Sequence, residues 1–248
     1  MGGGSGLAFP GKYRIITENT VWSMPENSIG FYPDVGVPFY LSKMKNNFGL
    51  FLALTGRRLK SFDCLYFGIG THFIESKKLN SLFKECEKNS NEIEKILKKF
   101  STKPNEKSEY IEHLNLISKC FNQDSVENIF KSLEIENSNF SLKILNEMKK
   151  FSPTSLKVTF KFFKEIKNLN IDESIDLQYN VSTKFFTISN DFIEGVRAKI
   201  IDKDFKPKWN PKTLQDTNDD YIEKFFKFWD HDFYQGHLNI STNKISKL

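Results

Sequence analysis

Met24-Pro25-Glu26-Asn27-Ser28-Ile29-Gly30-Phe31-Tyr32-Pro33-Asp34-Val35-Gly36 is the stretch on which the reading of this chain turns. Two carboxylates, Glu26 and Asp34, stand in otherwise apolar surroundings, each directly after a proline that fixes the local backbone. A carboxylate there is costly unless paired. Desolvation raises its pKa towards the range of a useful general acid or base. The competing reading is structural: Glu26 caps a turn and Asp34 caps a helix. Residue type alone leaves both open.

Upstream lies Met1-Gly2-Gly3-Gly4-Ser5-Gly6, followed by a short predicted helix over Ser5–Phe9 that Pro10-Gly11 ends. Glycines let a backbone approach a ligand closely, and N–H groups at such a turn favour an anion or a developing oxyanion. A flexible Gly/Ser linker fits the same letters. Downstream, Tyr13–Thr17 and Thr20–Ser23 read as short strands. Gly49–Leu54 reads as an apolar helix stopped by Thr55-Gly56. Ser61 is placed to start a short helix with Phe62, Leu65 and Tyr66 on one face, and His72–Ile74 reads as a brief strand.

Residues 1–75 hold most of the 13 glycines and read as α/β. From Ser76 the spacing is helical throughout. Helices are predicted around Leu79–Cys86, Ile93–Phe100, Ser108–Phe121, Ser125–Leu133, Ser138–Lys150, Ser152–Asn168, Asp172–Ile188 and Asp191–Ile201, each opening near a Ser or Asp able to cap it. Unit lengths do not repeat and no heptad is sustained, which excludes a solenoid and a coiled coil.

Composition bounds the function classes. With 248 residues, 39% hydrophobic and 27% charged, the chain has the means to bury a core. No apolar run approaches the ~20 residues that span a bilayer, so no membrane partner is expected. The balance of 36 basic against 31 acidic residues leaves +5, too mild to argue for nucleic acid. Asn is abundant at 22 and Ala scarce at three, the bias of an AT-rich coding sequence, so Lys-rich faces are read as solvated surface. Cys64, Cys86 and Cys120 form neither a disulfide framework nor a C-x-x-C zinc site. His72, His113, His231 and His237 lack metal-ligand spacing, and no nucleotide-binding glycine loop or G-x-S-x-G elbow is present. Trp22, Trp209 and Trp229 are read as core or seam residues.

These motifs, taken in order, resemble the crotonase (enoyl-CoA hydratase/isomerase) superfamily, and within it the 3-hydroxyisobutyryl-CoA hydrolases. The likeness runs from Met1–Leu7 through Tyr13–Glu18, Met24–Gly30, Pro33–Gly36, Leu52–Gly56 and Gly68–Phe73. It continues in Ser152–Lys157 and in Glu194–Ala198 with Asp202–Asp204 and Pro207–Trp209. It favours an ordered loop over a linker for the glycines. The fold implied is α/β: a crotonase-like ββα spiral, of which residues 1–75 would be the C-terminal part, followed by a large irregular helical region over 76–248. The family core has roughly a hundred further residues before the glycine motif. By the same likeness the chain is expected to be incomplete at its N-terminus, with unpaired sheet edges.

The activity implied is hydrolysis of a 3-hydroxyacyl-CoA thioester, 3-hydroxyisobutyryl-CoA in valine breakdown, in mitochondria. Gly3 N–H would hold the oxyanion. Glu26 would act as nucleophile or as general base on water, and Asp34 would bind the substrate hydroxyl, orient Glu26 or the water, and aid proton delivery to the leaving thiolate. Acyl-CoA is the small-molecule partner, and coenzyme A belongs to the substrate, so no cofactor or metal is expected. Homo-oligomerisation is left open. Hydratases of the superfamily carry a second glutamate where this chain has Gly6, which disfavours hydration. A second reading is a non-catalytic relative in the small subunit of the mitochondrial ribosome. One departure stands out: Val37-Pro38 replaces the second glycine usual after Asp-Val-Gly, which is expected to reshape the wall behind Asp34.

Overall fold

A computed structural model of the chain describes residues 1–105 and 107–228. In order, the elements are α1 (Gly4–Ala8), β1 (Ile15–Ile16), α2 (Val37–Leu41), α3 (Phe48–Thr55), α4 (Ser61–Tyr66), β2 (His72–Phe73), α5 (Leu79–Lys88) and α6 (Ile93–Phe100). They continue with α7 (Leu114–Phe121), α8 (Val126–Glu136), α9 (Asn139–Met148), α10 (Pro153–Glu165), α11 (Ile171–Thr187), α12 (Asp191–Val196) and α13 (Asp219–Phe226).

β1 and β2 pair in parallel, Ile15 opposite His72 and Ile16 opposite Phe73. Arg14 ties the ends of this pair together, its guanidinium donating to the carbonyls of Gly11, Ile69 and Gly68 at 2.8, 2.8 and 3.0 Å. The strand expected over Thr20–Ser23 reduces to a single antiparallel bridge between Trp22 and Leu59, because no longer neighbour pairs with it.

Helix α3 is the centre. Phe51, Leu52, Ala53 and Leu54 are all fully buried, as an apolar helix without a polar face must be. It packs against α2, α7, α9 and α10, and one continuous core joins Phe51 and Leu54 to Ile117, Leu133, Met148 and Leu156. The sequence boundary at residue 75 therefore divides composition, while the two sides share this core. A second core gathers Phe31 and Tyr32 with Phe162 of α10, Val181 and Phe185 of α11, and Phe225 of α13.

Among the described residues, side-chain caps place five of the helix starts. Ser125, Ser138 and Ser152 each accept from a backbone N–H three residues on. Helix α11 is capped by Asn170 with Glu173 reciprocating, while Asp172 lies inside its first turn. Three helix expectations fail. The helix expected over Ser108–Phe121 opens as a 3-10 turn at Ile111–His113 and is α-helical only over Leu114–Phe121. In α4 the buried face is Ser61, Asp63 and Cys64, with Tyr66 exposed, so packing overrides the apolar spacing. The stretch Asp191–Ile201 is an α-helix only to Val196 and continues as a π-helical turn. Helix α13, not anticipated, opens on an Asn218 cap and buries Ile222 and Phe225.

Candidate active site

Glu26 opens a single 3-10 turn, Glu26–Ile29, closed by Gly30. The next residue fixes this turn from behind. Asn27 is buried; its Nδ2 donates to the Ala53 carbonyl of α3 at 2.6 Å, and its Oδ1 accepts from Thr159 Oγ1 of α10 at 2.9 Å. A closer seal comes from Gly30 and Gly195. A side-chain carbon on Gly195 would stand 2.2 Å from the Ile29 carbonyl oxygen, so only glycine lets α12 meet the turn.

Glu26 itself is 7% exposed. Its Oε2 has no hydrogen-bond partner, and its Oε1 lies 3.1 Å from where a Cβ on Gly2 would stand. The glycine run is stitched alongside by Gly2 N–H donating to the Ser23 carbonyl at 3.2 Å. Burial pushes the Glu26 carboxyl up to about 7, its own backbone N–H opposes this, and the charge of Asp34 adds to the rise.

Asp34 is half-buried, and burial raises its carboxyl too. Neither acid caps a helix: the turn at Glu26 and the start of α2 at Gly36 both lack a side-chain cap, which overturns the structural reading of the pair. Val35 adopts φ 55° and Gly36 φ 75°. A β-branched residue in the left-handed region costs on the order of 1–3 kcal/mol and persists only where neighbours over-determine it. One such neighbour is Gly6: a Cβ there would lie 2.4 Å from the Val35 carbonyl oxygen and 2.7 Å from its Cβ. Pro38, expected to disturb this wall, sits in the first turn of α2, where a missing N–H costs nothing.

Gly3 is exposed, has open space on its Cα, and among the described residues no acceptor pairs with its N–H. The site thus brings a desolvated carboxyl group, a second acid and a free amide onto neighbouring segments. Among the described residues no three His, Cys, Asp or Glu side chains gather to hold a metal ion. His72 pairs with Thr71 through Nδ1, and His113 stacks on Phe140. Trp22 is buried, and Trp209 donates from Nε1 to the Lys150 carbonyl. Trp229, His231 and His237 lie outside the described residues.

The remaining motif blocks are scaffold. Ser152 Oγ donates to Asp191 Oδ2 at 2.6 Å while capping α10, and Asp191 Oδ1 accepts from Asn210 N–H at 2.8 Å. Arg197 gathers Glu194, Asp202 and Asp204. The residues that sequence reasoning missed sit across from Asp34. Tyr32 hydroxyl donates to the Gln178 carbonyl, and Gly36 N–H donates to Gln178 Oε1, both at 2.8 Å.

A family profile described as enoyl-CoA hydratase/isomerase matches residues 1–226. The chain is 40% identical over 235 residues to a mitochondrial 3-hydroxyisobutyryl-CoA hydrolase of Xenopus tropicalis, covering 91% of this chain and 60% of that protein. A protein of the same name from Dictyostelium discoideum is 38% identical over 234 residues, covering 92% and 61%. The chain therefore spans about 60% of the length of these curated relatives. Among solved structures, a carnitinyl-CoA dehydratase from Mycobacterium thermoresistibile superposes with a TM-score of 0.85 at 28% identity, over 93% of this chain and 66% of that one. An enoyl-CoA hydratase from Rhodobacter sphaeroides 2.4.1 gives 0.80 at 25% identity, over 91% and 65%. The architecture is the α/β crotonase-like one that the motifs implied. With a profile match over nearly the whole chain and the glycine run, Glu26 and Asp34 arranged on neighbouring segments, this chain belongs to the enoyl-CoA hydratase/isomerase family.

Proposed function

We propose that the protein hydrolyses a 3-hydroxyacyl-CoA thioester, 3-hydroxyisobutyryl-CoA to 3-hydroxyisobutyrate and free coenzyme A, as a mitochondrial enzyme of valine breakdown. The observation that carries this reading is the environment of Glu26: a buried carboxylate with one unpaired oxygen, pushed up to about 7, beside a glycine run and a second acid. A base near neutrality both ionises at working pH and accepts a proton readily.

The steps follow from the groups present. Glu26 takes a proton from water as the water oxygen attacks the thioester carbonyl carbon. The oxyanion so formed is held by the Gly3 N–H. On collapse the carbon–sulfur bond breaks, and the proton held by Glu26 passes to the departing thiolate. Asp34 holds the 3-hydroxyl of the acyl group, and its charge helps to keep the Glu26 carboxyl raised for proton transfer. In a second form of the same chemistry the Glu26 carboxylate attacks the carbonyl carbon, the carbon–sulfur bond breaks to release the coenzyme A thiolate, which takes a proton from solvent, and water then hydrolyses the resulting anhydride. Single turnover in ¹⁸O-water tests the anhydride route: where water opens it at the glutamyl carbonyl, ¹⁸O is left on Glu26 and the product carries a protein oxygen, whereas direct attack by water leaves Glu26 unlabelled.

Hydration is disfavoured by steric fact as well as by residue type. The position at which hydratases carry their second glutamate is Gly6, where Val35 already occupies the space a Cβ would need. The ribosomal reading is disfavoured by the cost of keeping a buried carboxylate with one oxygen left without a partner. The test is thiol release from 3-hydroxyisobutyryl-CoA set against hydration of crotonyl-CoA. Thiol release should dominate, and Glu26→Gln should lower it on the order of 10²-fold or more. Faster hydration, or unchanged turnover in Glu26→Gln, would overturn the proposal.

A further inference from the structure

We propose that Gln178, on α11, is a positioning residue that sets where the Asp34 carboxylate stands by holding the turn on which Asp34 sits. Asp34 occupies the middle of a five-residue bow from Tyr32 to Gly36, and Gln178 accepts a hydrogen bond from each end of it. The Tyr32 hydroxyl donates to its backbone carbonyl and the Gly36 N–H to its side-chain Oε1, both at 2.8 Å. Ser182, one turn further along α11, meets the same Tyr32 hydroxyl at 2.9 Å. No other residue contacts both ends in this way among the hydrogen bonds of the described residues.

The bow needs holding. Two successive residues after Asp34, Val35 and Gly36, lie in the left-handed region at φ 55° and 75°, and valine resists it. Gly6 blocks movement on one side of Val35. On the other side the Gly36 N–H has Gln178 as its acceptor, and releasing that bond frees the turn to relax and swing Asp34. Gln178 is 8% exposed, so water is a poor replacement acceptor. Its Nε2 is buried without a partner, so the side chain is anchored through Oε1 alone. The arrangement makes α11, far along the chain, part of the machinery around the second acid.

The catalytic consequence rests on the hydrolase reading, while the geometric one does not, and the experiment separates them. Gln178→Met keeps the length and removes the acceptor, whereas Gln178→Glu keeps an acceptor for Gly36. We expect Gln178→Met to lose at least tenfold in kcat for thioester hydrolysis, Gln178→Glu to recover most of it, and Gln178→Met to add less than twofold when Asp34 is already Asn. Equal losses in the two backgrounds would overturn the proposal, since a general structural defect adds. Should Gln178→Met fail to fold, Gln178→Asn, which withdraws the acceptor by one methylene, takes its place under the same criterion. In parallel, the Asp34 carboxyl ¹³C resonance is titrated in wild type and variant. A moved midpoint is expected, and an unmoved one overturns the positioning role. If the wild-type protein releases no thiol, the hydrolase reading falls and this titration still decides the role of Gln178.

Discussion

Oε1 of Glu26 stands 3.1 Å from the point at which a side chain on Gly2 would begin, and Gly2 holds φ +57°. The glycine run and the buried carboxyl group are thus in direct register, so each constrains the other. Gly2→Ala places a methyl against the carboxylate and asks alanine to adopt a left-handed backbone, at about 1–2 kcal/mol. The expected outcome is a modest fall in Tm with at least a tenfold loss of kcat. Gly4 is the contrast, with open space at its Cβ and a place in α1. Gly4→Ala should leave Tm equal or higher, since alanine is the better helix former. Thermal melts of the two variants, with kcat for Gly2→Ala, check the pair.

The raised pKa of Glu26 predicts opposite trends in stability and activity. Folding lifts the group from 4.5 to about 7 through burial, so between those values the folded state binds more protons than the unfolded one. Stability therefore falls as pH rises from about 4.5 to 7, by on the order of 3 kcal/mol if Glu26 acts alone. On the proposed mechanism Glu26 must be ionised to take the proton, so kcat/KM is expected to rise through the same window. Asp34 is raised in the same direction by burial, so its contribution to stability has the same sign, falling as pH rises. Urea unfolding from pH 4.5 to 7.5 should show the decline in wild type and a flatter profile in Glu26→Gln. A wild-type profile that climbs with pH would refute the burial argument.

Much of this site was legible because its signals are local. A proline before each acid, the ordered glycines, and serine caps at 125, 138 and 152 all act within a few residues of themselves. What was not legible depends on distant partners. The acceptor for Gly36 lies on residue 178, and nothing near either residue announces the other. The same holds for α4, whose buried face is set by neighbours against its own apolar spacing, and for Thr20–Ser23, strand-like in composition yet left with one bridge. By residue type alone Gly6 marks only a missing acid. The structure adds that Val35 closes the position altogether.

Asn27 supplies a stability test of how the base is aimed. Its amide joins α3 to α10, and removing it strands the Ala53 carbonyl and the Thr159 hydroxyl in a dry interior. Asn27→Ala should cost about 2 kcal/mol or more. Thr159→Val in the same background should return part of that loss, because the orphaned hydroxyl goes with it. Denaturant unfolding of the single and double variants reads the coupling; strictly additive losses would show that the bond does not carry the turn.

Asp34 gives the most discriminating prediction, because its assigned role is recognition as well as catalysis. Asp34→Asn keeps the shape of the side chain and removes its charge, so a substrate hydroxyl loses an ionised acceptor. A hydrogen bond to a charged group is worth about 1.5–3 kcal/mol, which corresponds to a loss on the order of tenfold to a hundredfold. That loss should fall on 3-hydroxyisobutyryl-CoA and spare isobutyryl-CoA, which presents no hydroxyl at this position. Comparing kcat/KM for the two substrates in wild type and Asp34→Asn isolates the term. Removing the negative charge also lowers the pKa of Glu26, since the charge of Asp34 helps to raise it. The acid limb of the pH–rate profile should therefore move to lower pH with both substrates alike. Recognition is the substrate-dependent part and electrostatic coupling the shared part, so one set of four profiles separates them. Equal losses on both substrates would leave Asp34 a role in setting the base and none in choosing the acyl group.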